Sequence, residues 1–160
     1  DKRGFSRKKK RSSAPSFGIV DAQSVKTQLA SEEIGFDGGK KVKGHKRHIV
    51  VDILGNLLHI SVHAANLSDT KQAGDVFERT LDKHPTIEAF SGDGEYRGTA
   101  VKFVEESLNI KLHISMRIKD GFAVLRNRWI VERTFAWLGN FRRLSVVRIA
   151  MLKLTVAKCV

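Results

Sequence analysis

The sequence predicts an α/β fold, a mixed five-stranded sheet with helices on both faces, and three observations carry that prediction. Two β-rich runs around Leu54-Gly55-Asn56 read as an antiparallel hairpin, strand and helix patterns alternate after it, and the helical patterns gather their apolar residues on one face. The length agrees, since 160 residues at 41% hydrophobic content suffice for one domain with a core and are too few for two.

Residues 1–16 join a run of Lys and Arg to Ser12, Ser13, Pro15 and Ser16, a composition that buries too little surface to order itself, and read as a flexible basic arm ahead of a domain over 17–160. Gly18 to Val25 is a short strand carrying Asp21, and a polar connection follows through Ser31-Glu32-Glu33. His48–Asp52 and Leu57–Ala65 form the hairpin. Asp69 reads as an N-cap, because Ala73, Val76, Phe77, Thr80 and Leu81 then follow at helical spacing until Pro85 ends the helix. Ile87 to Phe90 makes a fourth strand running into Gly92-Asp93-Gly94, where the glycines let the chain turn and leave Asp93 projecting at the strand end. Val101, Val104, Glu105 and Leu108 suit a helix, and Lys111 to Ile118 alternates as a fifth strand. A helix over Val124–Leu138 puts Leu125, Arg128, Trp129, Glu132, Phe135 and Ala136 on one face, which turns Glu132 inward. Ile149, Leu152, Val156 and Val160 space out a closing helix. In such a sheet the first strand is central with the fourth beside it.

The formal net charge of +12 and pI near 10.1 imply a polyanionic partner. Seven Lys and Arg lie between Lys2 and Arg11, and five more (Lys40, Lys41, Lys43, Lys46 and Arg47) lie in the segment Asp37 to His48. Gly39 and Gly44 have the spacing of a phosphate-binding loop, but His45-Lys46 follows where Lys-Ser/Thr is required, and a strand follows where a helix must open. The segment therefore reads as a flexible basic loop gripping a phosphodiester backbone, not as a nucleotide site. A lone Cys159 fits a reducing compartment, and the apolar region Ile49 to Ala65 is broken by Asp52, Asn56, His59 and His63, so it does not span a membrane. Cytoplasm, or the nucleoid within it, is the expected location.

Three acids stand in apolar or glycine-rich surroundings: Asp21, Asp93 and Glu132. An unpaired charge there is costly, so a cation is expected to meet each. His59 and His63 lack the further ligands that zinc requires, and read as structural or DNA-facing. Trp129, Phe135 and Trp137 read most simply as core aromatics, with base stacking as the reading for any ring left exposed.

The ordered set Asp-Ala-Gln-Ser-Val-Lys from Asp21, Gly-Lys-Lys-Val-Lys-Gly-His-Lys-Arg-His-Ile-Val-Val-Asp from Gly39, Val-His-Ala-Ala-Asn-Leu-Ser-Asp from Val62, Asp-Gly-Glu-Tyr-Arg-Gly from Asp93, and Val-Glu-Arg-Thr-Phe-Ala-Trp-Leu from Val131 resembles the catalytic domain of DDE transposases of bacterial insertion sequences. Within them it most resembles the insertion-sequence-five branch. The resemblance covers about Gly18 to Leu144. It implies an RNase H-like fold and metal-dependent cleavage at transposon ends, followed by attack of the freed 3′-OH on target DNA. It implies two Mg²⁺ or Mn²⁺ ions held by Asp21, Asp93 and Glu132, a donor set that suits hard cations. DNA contacts are implied for Arg128, which stands where the family often has an Arg. Leu125 and Gly139 stand where it often has a Tyr and a Lys, so Arg133, Arg142 or Arg143 are the substitutes on offer.

The resemblance also implies a homodimer on paired ends. A helical DNA-end-binding segment ahead of residue 1 is expected to be absent, and the segment after Leu144 reads as shortened, so the chain is expected to be either half of a split enzyme, with a separately encoded N-terminal half, or an inactive remnant. Two readings from other classes stand beside it: a non-enzymatic basic nucleic-acid binder, and an RNase H-like nuclease without strand transfer.

Overall fold

A computed structural model describes residues 14–27, 34–115 and 128–141 of the chain. Most of the basic arm, Met116 and Ile118 of the fifth predicted strand, the start of the Val124 helix, Arg142 and Arg143, and the closing helix from Ile149 lie outside the described residues.

The elements in chain order are β1 (Phe17–Lys26), β2 (Gly35–Asp37), β3 (Val42–Val51), β4 (Leu57–Ala64), α1 (Asp69–Lys83), β5 (Ala89–Gly92), a 3₁₀ turn (Gly94–Tyr96), α2 (Thr99–Ser107), β6 (Lys111–Ile114) and α3 (Arg128–Asn140). They build a mixed sheet in the order β2-β3-β1-β5-β6, with β4 also pairing β3. β1 is central: it runs antiparallel to β3, from Ile19 opposite Val51 to Lys26 opposite Gly44, and parallel to β5. That placement of the first and fourth predicted strands agrees with the sequence. The number of strands does not, because Gly35–Asp37 adds a short strand beside the start of β3. Three residues with one apolar side chain, Phe36, carry too little pattern to announce themselves.

Alternation along β1 divides the core between the two sheet faces. Val20 joins Val50, Leu58 and Phe90 under α1 and α2, where Ala73, Val76, Phe77, Ala100 and Val104 are buried. Ile19, Ile49 and Val51 face the opposite way and are covered by Ile130, Val131 and Phe135 of α3. Helices thus occupy both faces, as expected.

Two local expectations are corrected. The N-cap of α1 is Ser68, whose side chain accepts from the Lys71 backbone N–H; Asp69 is the first helical residue and is buried. The basic segment is a loop only over Gly38–Lys41, where Asp37 accepts the backbone N–H groups of Gly39 and Lys40. From Val42 onward it is strand.

Candidate active site

The parallel pairing of β1 with β5 sets Ile19 opposite Ser91. Two residues further along each chain stand Asp21 and Asp93, so the register places these acids side by side at the C-terminal end of β5. Asp21 has the parity of Ile19 and therefore faces α3. A small pocket there is lined by Asp21, Asp93 and Arg128, with Ile19, Ser91, Gly92 and Val131 among its walls.

Each carboxylate is fixed by its own backbone. The Asp21 Oδ1 accepts the Ala22 N–H at 2.8 Å, and the Asp93 Oδ1 accepts the Glu95 N–H at 2.9 Å as the cap of the 3₁₀ turn. Burial pushes Asp21 up to about 6 from its ordinary 3.8; the Ala22 N–H opposes this, the charge of Asp93 adds to it, and Lys40 and Arg128 offset part of it. Lys40 reaches the site from the Gly38–Lys41 turn, and its ammonium donates to the Ala22 carbonyl at 3.3 Å.

Glu132 departs from expectation. It is about half exposed and ion-paired with Arg128 at 3.1 Å, one helical turn earlier. The face of α3 that meets the sheet is Ile130, Val131, Thr134 and Phe135, rotated from the predicted one, so Trp129 and Trp137 are exposed instead of core. The apolar strip of this helix is wide enough to be read in two phases, and packing on Ile19, Ile49 and Val51 selects the one with the β-branched residues inward.

The structure therefore brings Asp21, Asp93, Arg128 and Lys40 together and leaves Glu132 at the margin, tied to Arg128. Two adjacent carboxylates, one of them desolvated and held above its ordinary pKa, fit a hard divalent cation. Among the described residues no group of three His, Cys, Asp or Glu is close enough to hold an ion, and Glu132 is held by Arg128.

The other residues expected to meet DNA divide. Lys40, Lys41 and Lys43 are exposed, and Arg133 is half-buried on α3. Lys46 and Arg47 are buried in β3, which corrects their placement in an open loop: the Lys46 ammonium bridges Asp69 at 2.7 Å and Asp37 at 3.7 Å, and Arg47 donates to Gln23. Asp69 in turn shares a hydrogen bond with Glu95, which together with burial raises the Glu95 carboxyl. Thr70 donates to the Glu95 carbonyl, and His48 shares a hydrogen bond with the Tyr96 hydroxyl. This scaffold holds the turn that carries Asp93. Sequence reasoning missed it; its one trace is the placing of Glu95 and Tyr96 directly after Asp93.

Comparison with known proteins identifies the family and the fold. The family model described as a transposase DDE domain matches residues 12–150. The chain is 29% identical over 116 residues, 64% of its length, to the transposase ascribed to insertion sequence element IS402 of Burkholderia cepacia, and it spans about half (53%) of that relative. In fold it is similar to the catalytic core domain of HTLV-2 integrase, solved in complex with magnesium, at a TM-score of 0.51 and 16% identity over 81% of this chain and 71% of that one. It is likewise similar to a chain of the simian T-cell lymphotropic virus intasome, at a TM-score of 0.53 and 15% identity over 81% of this chain and 41% of that one. The architecture is RNase H-like.

Proposed function

The chain belongs to the transposase DDE domain family, and from that premise we propose that the Asp21–Asp93 pocket is where a transposase cleaves phosphodiesters at transposon ends and joins the freed 3′-OH to target DNA. The observation that carries the reading is that Asp21 and Asp93 line one pocket just past the paired stretch of β1 and β5, with Asp21 desolvated to a pKa of about 6. That carboxylate is poised for a cation.

Asp21 and Asp93 would hold the divalent metal, with Glu132 completing the set, and two ions are the count that the reaction favours. Bound there, such ions activate the attacking oxygen and stabilise the departing 3′ oxygen. The rest falls to this chain's own side chains. Lys40, beside Asp21, and Arg128, in the pocket wall, would receive the phosphate, since a guanidinium matches its oxygens in bidentate fashion. A phosphate that engages Arg128 gives it a second anionic partner and weakens its hold on Glu132. DNA would thereby help to complete the ligand set. Lys41 and Lys43 extend the backbone contact, and paired ends would be served by a dimer.

The test uses DNA bearing a candidate terminal repeat, with Mg²⁺ or Mn²⁺. Nicks and joined products that disappear in Asp93→Asn and Asp21→Asn are expected. Nicks without joined products would make it a nuclease, whereas salt-sensitive binding indifferent to metal and to both substitutions would make it a non-enzymatic binder.

A further inference from the structure

Six large hydrophobic side chains are exposed among the described residues, and five of them lie at one place: Ile53 and Leu54 at the tip of the β3–β4 hairpin, and Trp129, Trp137 and Phe141 along the outer side and end of α3. Between the two tryptophans stands Arg133, its guanidinium 4.8 Å from the ring of Trp129 and 4.9 Å from that of Trp137. The stack is anchored to the hairpin, because Arg133 donates to the Leu54 carbonyl at 3.0 Å and its guanidinium lies against Gly55. Among the described residues the inner side of α3 is already packed on the sheet, and these rings lie outside that core. So much rigid aromatic surface left in water marks a contact site.

We propose that Trp129, Arg133 and Trp137 form a stacking platform for unpaired bases of a DNA strand, laid along the outer side of α3. Charge favours a nucleic acid over a protein as occupant: the chain carries +12, the platform holds a guanidinium at its centre, and Arg128 of the same helix reaches the acidic pocket. Stacking on flat π faces beside a cation is how single strands are held without sequence preference. The guanidinium fills the space between the two rings, which leaves the outer face of each tryptophan for a base. The platform thus adds to the transposase reading, on which it rests for the strand it would hold, a grip on the single-stranded end next to the cleaved bond.

Trp129 and Trp137 are the chain's two tryptophans, so fluorescence excited at the red edge of absorption, where Tyr96 does not contribute, reports on this platform. The full chain, in EDTA, is titrated with a duplex carrying a six-nucleotide 3′ tail and with a blunt duplex, binding being followed in parallel by anisotropy of the labelled DNA. Saturable quenching with the tailed DNA is expected, and Trp137→Ala should weaken tailed DNA about ten-fold while changing blunt duplex less than two-fold. Trp137→Phe, which keeps a ring, should recover most of the loss. Unquenched emission from DNA-bound protein, or equal weakening of both DNAs, overturns the proposal. So does a concentration-dependent dimer whose emission is already blue-shifted without DNA, because a second copy then covers the rings. Asp93→Asn should keep the quench; if it does and the wild-type chain fails to cut, the transposase reading falls and the platform stands.

Discussion

Asp21 is where sequence, burial and chemistry meet in one side chain. Its folded pKa of about 6 lies above the ordinary 3.8, so folding takes up a proton between those values. The sign follows: the carboxyl's contribution to stability is fully present below about pH 4 and is lost as pH rises through 6, leaving a desolvated charge that destabilises the metal-free chain at pH 8. Asp21→Asn should therefore raise stability to urea at pH 8 by about 1–3 kcal/mol and by almost nothing at pH 4. Excess Mg²⁺ should reverse the order, since a cation that binds only the folded wild-type site stabilises it by mass action. An Asn variant no more stable than wild type at pH 8 would show that Lys40 and Arg128 already neutralise the charge.

Among elements, the β5-to-turn junction places Asp93 and tolerates least. A Cβ at Gly92 would lie 2.9 Å from the Tyr96 ring and 3.1 Å from Val20, both fully buried, so neither can give way. Gly92→Ala should cost about 1–3 kcal/mol through overpacking and weaken metal binding by shifting Asp93, both visible in thermal unfolding with and without Mn²⁺. A change under about 0.5 kcal/mol would mean that the turn is looser than its packing implies. The glycines flanking Asp93, the hairpin around Gly55 and the α1 pattern were legible in the sequence because each is written in local turn chemistry or in a period, and the central place of β1 followed from the order of the elements. The phase of α3 was not. Its strip of Trp, Ile, Val, Phe and Leu is apolar nearly all round, and only the β-branched floor of β1 and β3 decides which third is buried. The misplacement of Lys46 and Arg47 has a related cause: charge in a sequence reads as surface, and their partners Asp37, Asp69 and Gln23 come from distant positions that only the folded sheet assembles.

For the whole molecule, those buried cations change what the net charge of +12 means. Of the five basic residues from Lys40 to Arg47, Lys46 and Arg47 are spent inside the fold and Lys40, Lys41 and Lys43 are exposed, while the seven between Lys2 and Arg11 form a separate block in the sequence. Salt titration of DNA binding separates the two kinds of charge, because each phosphate neutralised contributes about 0.9 to the slope of log K against log salt. Removing residues 1–13 should lower the slope by up to about 6, and replacing Lys40, Lys41 and Lys43 together by Gln should lower it by about 3. Lys46→Gln should leave the slope unchanged and instead cost about 3–5 kcal/mol of stability, since it strands Asp69 in the core without its cation. If Lys46→Gln changed the slope as much as a loss of Lys41 does, the Lys46 ammonium would be reaching DNA in solution, and the ion pairs that hold β3 to α1 would have to open for it to do so.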